Sequence, residues 1–202
     1  MLPRLYPIVD AANFPTSQRL YEFANELTSG GATLIQYRNK KGNALQVLSQ
    51  ARHLRIAAGN GLKLVMNDRA DLCLAAGFDG VHLGQDDVSP AAARAVVKEG
   101  KWVGVSTHNL HQASEADATS ADYIAIGPIF ATQSKERPDP VLGLDGLKKV
   151  RTATRKPLVA IGGITVSNCR SVIDAGADSV AVISGLLASP AKTVEDFIRI
   201  LM

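Results

Sequence analysis

The sequence predicts an α/β protein folded as a single (β/α)8 TIM barrel. Eight short apolar runs rich in Val, Ile and Leu alternate with segments of helical spacing. The runs are continuous rather than alternately apolar and polar, as in parallel strands that are buried on both faces. No linker interrupts the alternation, so we expect residues 1–202 to form one domain, with roughly 25 residues for each strand–helix unit.

The eight predicted strands are, in order, RLYPIVD, TLIQYR, LKLVMND, GVHLGQ, WVGVSTH, DYIAIGPIF, PLVAIGG and SVAVISG. The segment 17–31 has a candidate N-cap at Ser17, apolar residues at helical spacing and a glycine stop. The segments 89–100, 165–177 and 190–202 have the same form, and Ser89 precedes a proline at the first helical position. Since proline cannot donate to a strand ladder, we expect a local bulge at Pro7.

A doubly wound open sheet is the alternative architecture, but the first turn is not glycine-rich. Neither a dinucleotide-binding G-x-G-x-x-G motif nor a P-loop motif occurs in the sequence. The longest irregular stretch runs from Pro128 to Gly143 and contains three prolines and mixed charges. A loop of this length in a compact domain is often functional, and it could close over a ligand.

The composition excludes several function classes. The net charge of +3 and the aromatic content of 5% give no basic or aromatic patch, so we expect no nucleic-acid partner. The two cysteines lack metal-ligand spacing and lie in apolar segments, as buried thiols do in a reducing compartment. The chain has no signal-peptide pattern and no apolar run of bilayer length, so we expect a cytoplasmic protein without a membrane partner.

The candidate site residues are the polar and glycine residues at the ends of the predicted strands. In (β/α)8 barrels the active site lies at the C-terminal ends of the strands. The residues at these ends are Gln36, Arg38, Lys40, Asn67, Asp68, Gln85, Asp86, Asp87, Ser106, Thr132, Ser134, Lys135, Gly162, Gly163, Ser184 and Gly185.

The second strand ends in a row of cations. Gln36, Arg38 and Lys40 alternate and therefore share one face. Because barrel strands are covered on both faces, such a row fits only near the open mouth, where it could bind an anion. An ion pair with a neighbouring aspartate would also account for it. Lys135 adds a third cation on the long loop.

Two aspartates follow neighbouring strands. Asp68 and Asp87 could meet around Mg²⁺, which takes one or two protein carboxylates and completes its shell with phosphate oxygens and water. Alternatively, each aspartate could cap the helix that begins after it.

Glycines follow the last two strands, where many barrels bind a phosphate through backbone N–H groups. Two tight turns that require glycine would explain them equally. Two anion-binding regions beside a carboxylate-held metal indicate two phosphorylated small-molecule substrates, one of them a diphosphate. No nucleophile–base pair is evident, and His82 in mid-strand is typical of a structural histidine.

Several motifs together resemble the thiamine phosphate synthase family over residues 5–187. They are QYRNK, NDRADL, DGVHLGQDD, GVSTH, IGPIFATQSK, AIGGI and ISG. The resemblance implies a transferase that joins a hydroxymethylpyrimidine diphosphate to a thiazole phosphate, giving thiamine phosphate and pyrophosphate. In that family the diphosphate is thought to leave first, and the thiazole nitrogen then captures the pyrimidine cation. Which thiazole tautomer is used stays open.

The resemblance also implies residue roles. The pyrimidine-diphosphate site would comprise Gln36, Arg38, Lys40 and Asn67, with Lys135 as a further diphosphate contact and Ser106 at the pyrimidine amine. Of these, the catalytic residues would be Arg38, Lys40, Ser106 and Lys135. The Mg²⁺ ligands would be Asp68 and Asp87, the latter chosen over Asp86 by its spacing from Asn67. The thiazole-phosphate site would comprise Thr132, Ser134, Gly163, Ile183 and Ser184.

Three alternatives share this fold. A thiazole tautomerase would need the phosphate site at the last two strands but neither the aspartates nor the strand 2 cations. Epimerase-like and indole-pathway barrels share only the phosphate loops. A non-catalytic paralogue that binds thiamine phosphate should have lost a charged contact, and none is missing here. The sequence leaves a homo-oligomer open.

Overall fold

A computed structural model describes residues 2–59, 61–132 and 139–202. Eight parallel strands pair in chain order and β8 pairs back with β1, which closes the barrel and confirms the predicted fold class. The strands are β1 Leu5–Asp10, β2 Leu34–Arg38, β3 Lys63–Asn67, β4 Gly80–Leu83, β5 Trp102–Thr107, β6 Tyr123–Ile126, β7 Leu158–Ile161 and β8 Ser179–Val182.

A helix follows each strand. The helices are α1 Ser17–Ser29, α2 Ala44–Ala58, α3 Ala70–Ala75, α4 Pro90–Val97, α5 Leu110–Asp117, α6 Gly143–Ala153, α7 Cys169–Asp174 and α8 Pro190–Leu201. Two 3₁₀ turns, Ala11–Asn13 and Ser184–Leu186, follow β1 and β8. Over the described residues, none of these helices combines the length and apolar character needed to cross a bilayer.

Side-chain caps fix the starts of four helices, α1, α2, α4 and α5. Ser89 accepts the backbone N–H of Ala92 and caps α4 as predicted. The cap of α1 is Thr16 rather than Ser17, since Thr16 has the extended backbone of an N-cap and accepts the N–H of Arg19. The Ser17 hydroxyl instead accepts a hydrogen bond from Gln50 of α2 at 2.7 Å.

The bulge predicted at Pro7 is wrong. Within the described strand, β1 runs in step with β8 through Pro7, which lies opposite Val182. The pairing with β2 then begins at the next residue, where Ile8 lies opposite Gln36. Pro7, which has no N–H to donate, therefore lies where β1 stops pairing with β8 and begins to pair with β2. The strand stays regular at this residue.

The apolar core has two layers separated by the barrel wall. The larger layer lies between the strands and the surrounding helices and contains alternate strand residues such as Val9, Ile35 and Tyr37. The smaller layer fills the barrel interior and includes Tyr6 and Tyr123. Because alternate strand residues face opposite sides, Gln36 and His82 also project from the wall into this interior, which makes its upper part polar.

Three repeated ion pairs hold the N-terminal end of the barrel. In each, an arginine of an even-numbered helix contacts an aspartate that directly precedes an even-numbered strand: Arg55–Asp79, Arg94–Asp122 and Arg151–Asp178. The same aspartates accept backbone N–H groups from the preceding strands, at Leu64, Val103 and Leu158. These contacts fasten β3 to β4, β5 to β6 and β7 to β8 at the end opposite the polar strand ends.

Candidate active site

A cavity of about 660 Å³ lies at the C-terminal end of the barrel and is lined by residues from all eight strands. It brings together the predicted site residues that the structure describes: Gln36, Arg38, Lys40, Asn67, Asp68, Asp87, Ser106, Thr132, Gly163, Ile183 and Ser184. The predicted residues Ser134 and Lys135 lie outside the described residues. The long loop borders the cavity from both of its described ends, through Thr132 and Asp139.

Both cations of β2 are paired with aspartates. The Arg38 guanidinium contacts the carboxylate of Asp10, a buried residue that lies opposite it at the end of β1. The Lys40 ammonium lies 2.5 Å from an Asp68 carboxylate oxygen. The ion-pair alternative therefore describes this structure, and it is compatible with anion binding because both cations still line the cavity. Sequence analysis missed Asp10, although its position at a strand end could have identified it.

Asp68 and Asp87 lie next to each other at the ends of β3 and β4. Asp68 has a left-handed backbone, with φ of 64°, and its N–H donates to the His82 carbonyl at 2.7 Å. Asp87 accepts the Gly84 N–H at 2.6 Å. The capping alternative is wrong for both, because Ser89 caps α4 and no side chain caps α3.

The environment of Asp68 raises its pKa. Burial is the largest cause, and the neighbouring Asp87 carboxylate adds to it, while the Lys40 ammonium acts in the opposite direction. Within the described ranges, no group of three or more His, Cys, Asp or Glu side chains is placed to hold a metal ion. Two adjacent carboxylates nevertheless fit Mg²⁺, which relieves their repulsion and takes its other ligands from substrate and water.

A chain of buried hydrogen bonds crosses the barrel floor. The Gln36 side-chain nitrogen lies 3.0 Å from the Tyr6 hydroxyl, which lies 2.7 Å from the Tyr123 hydroxyl. The Tyr123 hydroxyl lies 3.0 Å from Nδ1 of His82, and Nε2 of the same ring lies 2.9 Å from the Ser106 hydroxyl. We call this chain the floor relay. The prediction that His82 is structural did not identify these partners, since they lie on four other strands.

The glycines after β7 have a conformational explanation. Gly162 and Gly163 have φ of 100° and 64°. A Cβ on Gly162 would lie 2.6 Å from the Pro128 Cβ, and one on Gly163 would lie 2.5 Å from the Ala131 carbonyl oxygen. The tight-turn alternative therefore accounts for both glycines. The remaining support for a phosphate site is that Gly163 lines the cavity together with Ile183 and Ser184.

His108 is a further cavity residue, which the sequence did not identify as part of the site. Its Nδ1 atom lies 2.9 Å from the Gly127 carbonyl oxygen and 3.4 Å from the Asp139 carboxylate. It therefore connects Gly127, the residue before the long loop, to Asp139 in the second described part of that loop. The Gln85 amide donates to the Ser106 backbone carbonyl at 2.6 Å and holds the end of β5 against the turn after β4.

A family model described as thiamine monophosphate synthase matches residues 5–186. The chain belongs to this family. It is 60% identical to a thiamine-phosphate synthase of Koribacter versatilis, over 99% of this chain and 96% of the relative. It is 40% identical to a thiamine-phosphate synthase of Agrobacterium fabrum, over 96% of this chain and 91% of the relative. These matches confirm the family resemblance.

Solved structures agree with this assignment. A thiamine phosphate pyrophosphorylase from Pyrococcus furiosus superimposes with a TM-score of 0.86 at 32% identity, covering 98% of this chain and 95% of that chain. A hexulose-phosphate synthase, with a TM-score of 0.73 and 20% identity, covers 99% of this chain and all of its own and shares the fold alone. The thiamine monophosphate synthase family therefore has this barrel architecture.

Proposed function

We propose that this chain is a thiamine-phosphate synthase, a transferase that joins a hydroxymethylpyrimidine diphosphate to a thiazole phosphate and releases pyrophosphate. The observation that carries the proposal is that charged residues line one side of the cavity and uncharged residues line the other. Cations and paired carboxylates line the arc formed by β2 to β4, while glycine and hydroxyl residues line the opposite arc at β7 and β8. Two substrates with different anionic groups fit such a division.

Arg38 and Lys40 would bind the diphosphate. Arg38 is held by a buried aspartate and is therefore a fixed cationic fork, which suits two phosphate oxygens. Lys40 is a more accessible charge, since half of its side chain is exposed and only its ammonium group is paired. As the C–O bond breaks, charge develops on the departing diphosphate, and both cations would stabilise it.

Asp68 and Asp87 would hold Mg²⁺. The bound ion would neutralise further charge on the diphosphate. Asp87 is oriented by the Gly84 N–H, and Asp68 is oriented by its left-handed backbone and the bond from its N–H to the His82 carbonyl. Both carboxylates are therefore positioned by the protein itself.

The thiazole phosphate would lie at the opposite arc, against Gly163, Ile183 and Ser184, with Thr132 on the long loop. The family resemblance adds Ser134, which lies outside the described residues. The turns at Gly162 and Gly163 place backbone in the cavity wall, and a Cβ at either glycine would clash with residues 128–131. The thiazole nitrogen would then attack the carbon that loses the diphosphate. This reaction needs no nucleophile from the protein.

The coupling assay with both substrates, with and without Mg²⁺, tests the proposal directly. We expect thiamine phosphate to form only when Mg²⁺ is present. Binding of the thiazole phosphate without any coupling would contradict the proposal and favour the tautomerase or the non-catalytic paralogue. Neither is favoured by the relatives reported above, which are synthases by name. A cytoplasmic location is supported by the unpaired thiols of Cys73 and Cys169, and self-association stays a prediction.

A further inference from the structure

The end of β2 carries polar residues on its helix-facing side as well as on its cavity side. Gln36 and Arg38 line the cavity, whereas Tyr37 lies between them in sequence and belongs to the layer between strands and helices. Asn39 follows on the helix side, where its side-chain nitrogen donates to Gln50 of α2 at 3.0 Å. Because this layer is otherwise built mainly from apolar side chains, a polar group there needs a hydrogen-bond partner.

The polar groups on the helix side satisfy one another. The Tyr37 hydroxyl donates to Oε1 of Gln50, and Nε2 of Gln50 donates to the Ser17 hydroxyl of α1 at 2.7 Å. Tyr37 and Gln50 are both buried. We call Tyr37, Gln50 and Ser17 the outer network. The Asn39 side-chain nitrogen also reaches the Tyr37 hydroxyl at 3.3 Å, so Asn39 is fastened to a buried network that two helices hold in place.

The oxygen of the same Asn39 side chain closes the turn after β2. Oδ1 accepts the backbone N–H of Lys41 at 3.2 Å and that of Gly42 at 2.8 Å. Asparagine commonly closes turns in this way, by accepting N–H groups a few residues further along the chain. Lys40 lies inside both hydrogen-bonded rings. The Asn39 amide therefore fixes the backbone from which the Lys40 side chain projects.

Gly42 shows how closely the turn surrounds this amide. A Cβ at Gly42 would lie 2.6 Å from Nδ2 and 3.0 Å from Cγ of Asn39. The start of α2 is held separately, since Asn43 accepts the backbone N–H of Gln46 at 2.9 Å. One asparagine therefore closes the turn that contains Lys40, and a second asparagine caps the helix that follows.

The two cations at this end of β2 are supported in different ways. Arg38 is the last residue of the strand and contacts the buried Asp10 of β1. Lys40 lies beyond the strand, half of its side chain is exposed, and its ammonium contacts the Asp68 carboxylate. A long side chain gives up rotamer freedom when it binds an anion, and a fixed backbone limits what else has to be ordered. The turn closed by Asn39 supplies that support.

We propose that Asn39 is a positioning residue for Lys40, whose amide holds the turn after β2 against the outer network and so preorganises the Lys40 ammonium for the diphosphate. This inference rests on the proposed function, in which Lys40 binds the diphosphate. Asn39 is not among the described residues that line the cavity, so we expect its effect to pass through Lys40. An amide suits this role because it accepts from the turn and donates to the network, and it adds no charge that would compete for the lysine.

A double-mutant cycle with Lys40→Ala tests the proposal. The probe is inorganic pyrophosphate in the presence of Mg²⁺, with binding measured by calorimetry, so that no turnover is needed. Asn39→Ala removes both bonds to the turn, and we expect the Kd for pyrophosphate to rise about tenfold. In the Lys40→Ala background the same substitution should change the Kd by less than about twofold, because the side chain that it positions is absent. An equal loss in both backgrounds would overturn the proposal.

The matched control is Asn43→Ala. It is the same substitution in the next asparagine of the chain and also removes a bond to a backbone N–H, but the ring that it opens does not contain Lys40. A thermal melt of each variant reports the loss of stability, and Asn43→Ala should keep the wild-type Kd for pyrophosphate. A Kd raised as far as in Asn39→Ala would overturn the proposal, because any loosening at the start of α2 would then suffice.

Kinetics separate this proposal from the proposed function. In Asn39→Ala we expect the KM for the pyrimidine diphosphate to rise while the KM for the thiazole phosphate stays at the wild-type value. Absence of coupling in the wild type would contradict the proposed function, and the pyrophosphate cycle would still decide whether Asn39 supports Lys40. Absence of pyrophosphate binding by the wild type would overturn the anion-binding role of Lys40, and this inference with it.

Hydrogen exchange in the wild type gives a readout that does not depend on a variant folding. The amide hydrogens of Lys41 and Gly42 should exchange more slowly than those of an unstructured chain, because Asn39 accepts both. Asn39→Ala should remove this protection and leave that of the Gln46 amide, which Asn43 accepts. Exchange of the Lys41 and Gly42 amides at the unprotected rate in the wild type would overturn the proposal.

Discussion

The Lys40 ammonium lies 2.5 Å from the Asp68 carboxylate, and the two side chains differ in exposure, at 50% and 17%. This contact joins a cation proposed for the diphosphate to a carboxylate proposed for Mg²⁺. Because Lys40 is the more exposed partner, it can turn towards an incoming diphosphate while Asp68 stays in place. One ion pair therefore links the proposed diphosphate contact, Lys40, to the proposed Mg²⁺ ligand, Asp68.

Replacing Lys40 should weaken one substrate selectively. In Lys40→Ala we expect the KM for the pyrimidine diphosphate to rise about 10- to 100-fold, the loss typical of one charge-assisted contact, with little change in the KM for the thiazole phosphate. Steady-state kinetics with each substrate varied in turn measures both values. Lys41→Ala, which removes an exposed lysine next in sequence that does not line the cavity, is the matched control. Equal losses for the two substrates would contradict the role assigned to the end of β2.

The choice of Asp87 over Asp86 can be tested by charge removal alone. Asp87→Asn keeps a side-chain oxygen that can still accept the Gly84 N–H, so the turn after β4 should survive. We expect the Mg²⁺ concentration for half-maximal rate to rise at least about tenfold, while Asp86→Asn stays close to the wild type. A Mg²⁺ titration of the initial rate, with a thermal melt of each variant, separates metal binding from folding. A stronger effect of Asp86→Asn would reverse the assignment.

The charge on Asp68 should destabilise the folded chain. Its pKa is raised in the folded chain, so its stabilising contribution is fully present below the unfolded pKa and is lost as the pH rises through the folded value. At pH 7 the half-buried carboxylate therefore destabilises the fold. Asn removes the charge and tolerates the left-handed backbone at this position.

We accordingly expect Asp68→Asn to be inactive yet to melt higher at pH 7. A gain of about 1 kcal/mol would raise the Tm by about 2–4 °C in a chain of this length. The difference between the two proteins should shrink as the pH is lowered towards the pKa of the carboxyl. A Tm below that of the wild type at pH 7 would show that the pair with Lys40 contributes more than the burial of Asp68 removes.

The positions of the site residues were predictable from short stretches of sequence. Alternate strand residues share one face, and the active site of a (β/α)8 barrel lies at the C-terminal ends of its strands. The end of β2 could be assigned to the cavity from three alternating residues, Gln36, Arg38 and Lys40. Their partners could not be assigned in this way. That Arg38 contacts Asp10 depends on the register between β1 and β2, and no periodicity within either strand specifies that register.

The hydrogen-bond partners within the floor relay were even harder to predict from the sequence. His82 was correctly interpreted as a satisfied histidine, yet its partners Tyr123 and Ser106 come from strands that are distant in sequence. They meet only because the closed barrel brings alternate residues of different strands into one interior layer. Gly104, which makes room for Tyr123, is uninformative in the sequence until that layer is known.

The burial of His82 predicts a specific loss of stability in acid. The pKa of His82 is about 4 in the folded chain, against 6.5 for the unperturbed residue, so the unfolded state binds the proton more readily. Stability should rise with pH between these two values and should be lost as the pH falls from 6.5 towards 4. A shift of this size corresponds to about 3 kcal/mol at the acid end. Urea unfolding at a series of pH values measures the wild-type slope, which also contains contributions from carboxylates.

A comparison with His82→Asn isolates the histidine. This variant loses relay contacts and should be less stable at pH 7, but the difference from the wild type should narrow as the pH falls, because the variant has no buried imidazole to protonate. His111→Asn, which removes an imidazole whose side chain is 82% exposed, controls for loss of a histidine at the surface. Parallel curves for His82→Asn and the wild type would mean that His82 accepts a proton in the folded barrel as readily as in the unfolded chain.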